Sequence, residues 1–537
     1  MFSMLQTLAL NSTAIISIPL LICFFALMIG VGFACKKHST NVDSFVLGGR
    51  AVGPWLTAFA FGTSYFSAVI FVGYAGQFGW NFGLASTWIG LGNAFIGSLL
   101  AWNVLGRRTR VMTQHLGSKT MPDFFEKRYD SKALKVIASF IVFVFLIPYT
   151  ASLYNGLSSL FNNVFAIPYW VVVVVMAVLT GLYVIFGGYM ATAINDFIQG
   201  IIMLVGIITV IVAVLLKNGG FTEAVATLGN SAGSEYISMF GPDPIFLLFV
   251  VLLTSLGTWG LPQMVGKFYS IKDEASIKKG TIISTVFAII VAGGCYFLGG
   301  FGRLYKNQLV SAGFHNPQTN ATLFDKVVPT MLSELAPLVV ALIIVLVLAA
   351  SMSTLSSLVL TSSSTLTLDV IKPAINKRKE ISEKQSIFIL RLFIVFFIAV
   401  SAVIAILKDS VWKDSVFIAQ MMGVSWGALA GAFLAPFLYG LYWKKTTKAA
   451  VIVSFIFGCG FEIVQLLISI KLFTPTDAFF GFIFKNSLYS GVFAMVGELI
   501  LVPVVSLLTK KTLPENIEEK FDCYNVEVVT NKKDSLG

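Results

Sequence analysis

The chain has 537 residues, 57% of them hydrophobic and 12% charged, with a formal net charge of +11. A mean hydropathy of +0.86 and a charged share about half that of an ordinary soluble domain exclude a water-soluble fold and place the chain in a bilayer. Five cysteines (Cys23, Cys35, Cys295, Cys459, Cys523) without a CxxC pair, and three dispersed histidines (His38, His115, His315), argue against a disulfide framework, a zinc site or histidine-based catalysis.

Apolar runs of about 20 residues, the length that crosses the hydrocarbon layer, recur thirteen times. They lie near 13–35, 54–78, 82–105, 133–162, 168–186, 194–216, 244–266, 280–302, 335–368, 386–407, 415–440, 449–470 and 487–508. The first lacks the basic start of a signal peptide and is kept as a span. Of 37 lysines and arginines, 28 fall in segments 36–50, 106–135, 267–279, 372–384, 444–448 and after 509, eight (Lys413 among them) fall in the alternate segments, and Arg391 lies inside a span. That bias predicts an outside N-terminus and an inside C-terminus. It also explains the basic charge as topology, with no nucleic-acid partner.

Two spans are interrupted at mid-depth. The second begins at Gly53-Pro54 and carries Gly62-Thr63-Ser64-Tyr65-Phe66-Ser67 at its centre, and the seventh carries Thr254-Ser255-Leu256-Gly257-Thr258-Trp259-Gly260-Leu261-Pro262-Gln263. Gly, Pro and hydroxyl residues there free backbone groups, which lipid does not tolerate unless they face protein or a cavity. Broken helices at matching places in two halves point to a transporter's central site. The second to sixth and the seventh to eleventh spans form two groups of five, and an odd number gives the groups opposite topology.

The ninth span ends in Ala349-Ala350-Ser351-Met352-Ser353-Thr354-Leu355-Ser356-Ser357. Helical spacing places Ala350, Ser353 and Thr354 on one face, with Ser353, Ser356 and Ser357 on a face slightly rotated from it. Such neutral oxygens suit a small alkali cation; they equally suit close helix packing. Asp196 follows Gly187-Gly188 at the start of the sixth span, where it could cap the helix or complete an ion site. Arg391 lies near enough to the inner end to snorkel, and it is left without a role, as are Glu462 and Glu498.

These features resemble the solute:sodium symporter family over residues 40–450. The matching motifs are Ser44-Phe45-Val46-Leu47-Gly48-Gly49-Arg50, Gly187-Gly188 through Asn195-Asp196-Phe197-Ile198-Gln199-Gly200, Gly260-Leu261-Pro262-Gln263 before Lys267, Ala350 to Ser357, and Pro436 to Trp443-Lys444. The resemblance implies an all-α, leucine-transporter-like inverted repeat of five plus five helices. The expected order is a first helix and cytoplasmic loop (1–52), the first repeat (53–217), an extracellular loop (218–242), the second repeat (243–441), two additional helices (442–509) and a cytoplasmic tail (510–537).

The resemblance further implies a first sodium site on the carbonyls of Thr63, Phe66 and Ala350 and the hydroxyls of Ser353 and Thr354. A second site, present in some members, would use Asp196, Ser353, Ser356 and Ser357. Candidate solute contacts are Ser64, Tyr65, Ser67, Ile70, Tyr149, Thr254, Thr258, Trp259 and Gln420. The proline and pantothenate branches are nearest, yet Tyr65 stands where the proline branch has an aspartate, and Thr254 and Thr258 stand where it has a tryptophan and a tyrosine. The sugar branch's glutamine near Ile70 is missing, and no arginine lies between Phe140 and Asn155, where the sialate branch has one.

The expected function is sodium-driven symport of a small organic solute across the cell membrane, with one or two sodium ions as coupling ion. A carboxylate-bearing solute (an amino acid such as proline, pantothenate or a monocarboxylate) is favoured, because free amides and hydroxyls at the breaks can hold an anion. A sugar or sialic acid is the alternative. An enzyme is not expected, for want of a nucleophile, base or metal cluster at depth. A channel or sensor is a lesser alternative, the residues after 509 being too few for a signalling domain. Each charge that crosses is worth roughly 2.3 kcal/mol per 100 mV.

Overall fold

The computed structural model describes residues 12–165, 167–377, 380–410, 418–475 and 477–525. The start of the eleventh expected span at 415–417, the outer Lys413 and the end of the tail lie outside the described residues. Among the described residues, ten helices are long and apolar enough to cross a membrane, and one further crossing is a pair bent by 48°, Pro244–Gly260 with Pro262–Ser270. Val69–His115 runs for 47 residues through the second and third spans, and Tyr169–Lys217 runs for 49 through the fifth and sixth.

The longer of these turns at Gly188, whose φ of +55° and ψ of −146° suit glycine alone. Carbonyls beside the turn find donors elsewhere: Ser39 Oγ donates to Gly187 O at 2.7 Å, and Arg391 Nε donates to Ile185 O at 2.9 Å. Arg391, expected only to snorkel, thus holds a break in the backbone.

The Pro337–Thr365 helix forms the centre. It starts with proline at its first position, where no N–H is needed, and is buried along nearly its whole length. Around it pack Ser12–Cys35, Pro54–Tyr65, Lys132–Phe165 and Tyr169–Lys217. Nearly all the hydroxyls it carries are buried inside the protein and away from lipid, Ser362 and Ser363 among them without a hydrogen-bond partner. Gly200 lets Tyr169–Lys217 approach Pro54–Tyr65 near the site, since a Cβ there would stand 2.3 Å from the Phe59 ring and 3.1 Å from Thr63 Cγ2.

The last three long helices, Ile418–Tyr442, Lys448–Ser469 and Ser487–Leu508, pack on one another and bury two acids. Pro436 has no N–H for Ala432 O, and Ser454 Oγ stands 3.0 Å from that carbonyl and 2.6 Å from Glu498 Oε2. Ala435 N donates to Glu498 Oε1 at 3.0 Å, and Ser490 Oγ donates to Glu462 Oε1 at 2.8 Å. Both glutamates therefore serve as anchors between helices.

The basic segment 106–135, expected as a loop, contains the helix Met121–Tyr129, capped by Thr120. Lys135 Nζ joins Asp123 at 2.9 Å, Glu126 at 2.7 Å and Asp369 at 3.9 Å, fastening this helix to the end of the central one. The expected 218–242 loop likewise contains a helix, Phe221–Ala232. One departure from an all-α chain is a pair of two-residue antiparallel strands, His315–Asn316 and Ala321–Thr322.

Candidate ion and solute site

The Pro54–Tyr65 helix gives way at Phe66, where φ −100° and ψ 93° are extended. Helical backbone resumes at Val69, with Ser67 O accepting from Ile70 N and Phe71 N at 3.0 Å each. The second break lies in the Pro244–Ser270 pair, where Leu261 is extended ahead of Pro262, as the residue before proline prefers. Tyr65 bridges the two breaks: its hydroxyl donates to Thr254 O.

Facing the first break is the hydroxyl-dense part of Pro337–Thr365. Thr63 O lies 3.1 Å from Ser353 Oγ and 3.0 Å from Thr354 Oγ1, while Ala350 O lies 3.1 Å and 3.2 Å from the same two hydroxyls. Four of the five oxygens expected for a first sodium are thus mutually adjacent, two from carbonyls and two from hydroxyls, all on buried residues. Phe66 and Ala350 share a cavity of about 10 Å³, close to the least that holds one water. Apart from Ser67, that cavity's other walls, Phe71, Met203, Ile207, Val291, Cys295 and Leu346, are apolar or sulfur-bearing; it is the four oxygens above, neutral and hard, that suit a small alkali cation.

Around the residues expected at a second sodium the contacts run differently. Ser353 is turned toward Thr63, and Ser356 Oγ donates to Ser353 O of its own helix at 2.9 Å. Asp196 is fully buried within Tyr169–Lys217, well inside the helix, so its capping reading is corrected. Its Oδ2 faces Lys267 Nζ at 3.6 Å. Lys267 Nζ donates to Ser357 Oγ at 3.0 Å, and Ser357 Oγ pairs with Ser64 Oγ at 2.7 Å. Ser64, expected at the solute, belongs to this chain of contacts.

Other expected solute residues divide into two groups. Thr254 Oγ1 donates to Val250 O at 2.8 Å, Thr258 Oγ1 to Ser255 O at 2.8 Å, and Trp259 Nε1 to Ile96 O at 3.1 Å. These three spend their donors on protein. Ser67 Oγ, Tyr149 OH and Trp426 Nε1 are buried without a well-formed hydrogen bond, and Tyr149 interacts with both of the other two. The Tyr149 and Trp426 rings meet edge to face at 6.0 Å, Tyr65 stacks on Phe66 at 4.3 Å, and Tyr65 lies 5.9 Å from Trp426. Ile70 is fully buried just beyond the break, and Gln420 lies half-buried at the start of the helix that carries Trp426. Sequence reasoning missed Trp426, although a tryptophan inside the small-residue run Gly423-Val424-Ser425-Trp426-Gly427 needs a partner for its buried N–H.

Two interrupted helices joined through Tyr65, the first of them facing a cluster of buried oxygens on Pro337–Thr365, are the arrangement of a membrane transporter with its site at the helix breaks. Residues 45–458 match the sodium:solute symporter family. The chain is 30% identical over 495 residues to the sodium/proline symporter of Staphylococcus aureus strain JH9, covering 91% of this chain and 92% of that one, and the strain NCTC 8325 protein matches equally. A Na+-coupled sialic acid symporter in a substrate-bound outward-open state has the same fold, with a TM-score of 0.72 at 18% identity, over 92% of this chain and 97% of that one. The chain belongs to the sodium:solute symporter family. It is a multi-pass membrane protein of leucine-transporter-like fold, and sodium is its coupling ion.

Proposed function

We propose that the protein imports a small carboxylate-bearing solute, an amino acid of proline's size being the leading case, together with sodium bound at Thr63, Phe66, Ala350, Ser353 and Thr354. The observation that carries the solute reading is the mutually facing trio of buried donors on Ser67, Tyr149 and Trp426 beside the first break, none of which makes a well-formed hydrogen bond. An unmet buried donor costs about 1–3 kcal/mol, so the trio is arranged for an acceptor-rich guest. The resemblance to a sodium/proline symporter at 30% identity supports the same class.

In this reading sodium replaces the hydrogen bonds now made across Thr63 O and Ala350 O. Ser353 and Thr354 turn their lone pairs to the ion, which ties Pro54–Tyr65 to Pro337–Thr365. The backbone at Phe66 and Ser67 is fixed by that tie, and the solute contacts at Ser67 are formed only then. Ion and solute thus strengthen each other's binding by the same factor. A monovalent cation and an anionic or zwitterionic solute also offset each other's charge at depth.

The reading is tested by labelled-solute uptake in a transport-deficient host, with and without sodium, in competition with amino acids, monocarboxylates, pantothenate, sugars and sialic acid. Competition by neutral sugars alone, with amino acids, carboxylates and sialic acid inert, would overturn the carboxylate assignment, and competition by sialic acid alone would keep the carboxylate but overturn an amino acid of proline's size. Tyr149→Phe should raise KM for the true solute several-fold with little change in sodium dependence.

A further inference from the structure

Asp196 is a carboxylate buried without a hydrogen-bond donor on either oxygen, and the charge facing it is the ammonium of Lys267 at 3.6 Å. Lys267 is itself only 4% exposed. Its remaining contacts are Ser357 Oγ at 3.0 Å and the Tyr189 ring at 5.4 Å. Lys267, Ser357 and Tyr189 also line a cavity of about 50 Å³ with Gln263, Thr361 and Ser364. The ammonium therefore stands where the carboxylate and the serine hydroxyl would otherwise meet a free ion.

We propose that Lys267 is a tethered cation that permanently fills the Asp196 position, so that the protein couples one sodium, at Ser353 and Thr354, to each solute. The proposal rests on the sodium site assigned above. An alkali ion placed among Asp196, Ser356 and Ser357 would stand beside the ammonium, setting two positive charges against one carboxylate in a buried site. Lys267 lies on Pro262–Ser270, the second half of the second broken helix. Its contacts bind that helix to Tyr169–Lys217 through Asp196 and to Pro337–Thr365 through Ser357. The lysine thus makes permanently a link that a second sodium would make only when bound. With one charge moved per neutral solute, electrical accumulation is limited to roughly fortyfold per 100 mV instead of the order of a thousandfold for two.

The test counts sodium directly on purified full-length protein in detergent, by equilibrium binding of labelled sodium without solute. The wild type should bind one sodium per chain, and Ser353→Ala should weaken that binding roughly tenfold or more. Lys267→Met, which keeps the length of the side chain and removes its charge, should bind two, and the pair Lys267→Met with Asp196→Asn should return to one. Two sodium ions per wild-type chain would overturn the proposal, as would a count of one in folded Lys267→Met. If Lys267→Met does not fold, Asp196→Asn decides: an unchanged count of one supports the tethered cation, and a fall from two to one overturns it. Unchanged sodium affinity in Ser353→Ala, with a wild-type count of one, would instead count against the assignment of the first sodium site.

Discussion

The Tyr65 hydroxyl donates to the Thr254 main-chain carbonyl, joining one broken helix to the other across the centre of the protein. The acceptor is backbone, so the bond is indifferent to the Thr254 side chain, whose own hydroxyl is committed to Val250 O. Tyr65→Phe should cost about 1 kcal/mol or somewhat more, read as a fall in thermal unfolding temperature in detergent. Thr254→Val should leave the Tyr65 bond in place and lower the melting temperature less than Tyr65→Phe does. Equal losses in both variants would show that the threonine side chain holds the contact.

Ser353 and Thr354 each stand within 3.2 Å of both Thr63 O and Ala350 O. Removing either hydroxyl takes one oxygen from a site that has no charged ligand to compensate. Ser353→Ala and Thr354→Ala should each raise the sodium concentration for half-maximal uptake roughly tenfold or more, equivalent to about 1.4 kcal/mol. Surface expression should stay near wild type. A sodium response that does not move in either variant would return these residues to a packing role.

Breaking a buried ion pair from one side leaves an uncompensated charge, at a cost of about 3–5 kcal/mol. Asp196→Asn should therefore destabilise the protein strongly by stranding Lys267, and Lys267→Met should do so by stranding Asp196. The double change Asp196→Asn with Lys267→Met should recover much of the loss, since neither charge remains. Additive losses in this cycle, measured by thermal unfolding, would mean that the two side chains do not interact.

Asp123, on the helix Met121–Tyr129 beyond the membrane spans, gives a dependence on pH. Burial alone would raise its pKa, but the ammonium groups of Lys135 and Lys127 outweigh that and hold it below the ordinary value of 3.8. Its ionised form therefore stabilises the fold, a contribution present above pH 3.8 and lost as pH falls through the lowered native value. Asp123→Asn should be less stable than wild type at neutral pH, and the gap should narrow in acid. A gap constant down to pH 3, about one unit below the ordinary aspartate value, would refute the assignment.

Membrane class, the positions of the apolar runs and the two helix interruptions were legible in the residues themselves. Lipid offers no water to backbone groups, so length, hydropathy and local Gly-Pro-hydroxyl runs act almost independently of the rest of the chain. The cluster of oxygens from Thr63, Ala350, Ser353 and Thr354 was legible through the family's motifs, because those residues lie on two elements that face each other throughout the fold. Only the tertiary structure turned Lys267 toward Asp196 and brought Trp426 beside Tyr149. Both pairings join residues far apart in sequence, and no local periodicity encodes which buried polar group will meet which. The lysine's partner was decided by the packing of three helices around one carboxylate, where an unpaired charge costs too much to remain alone.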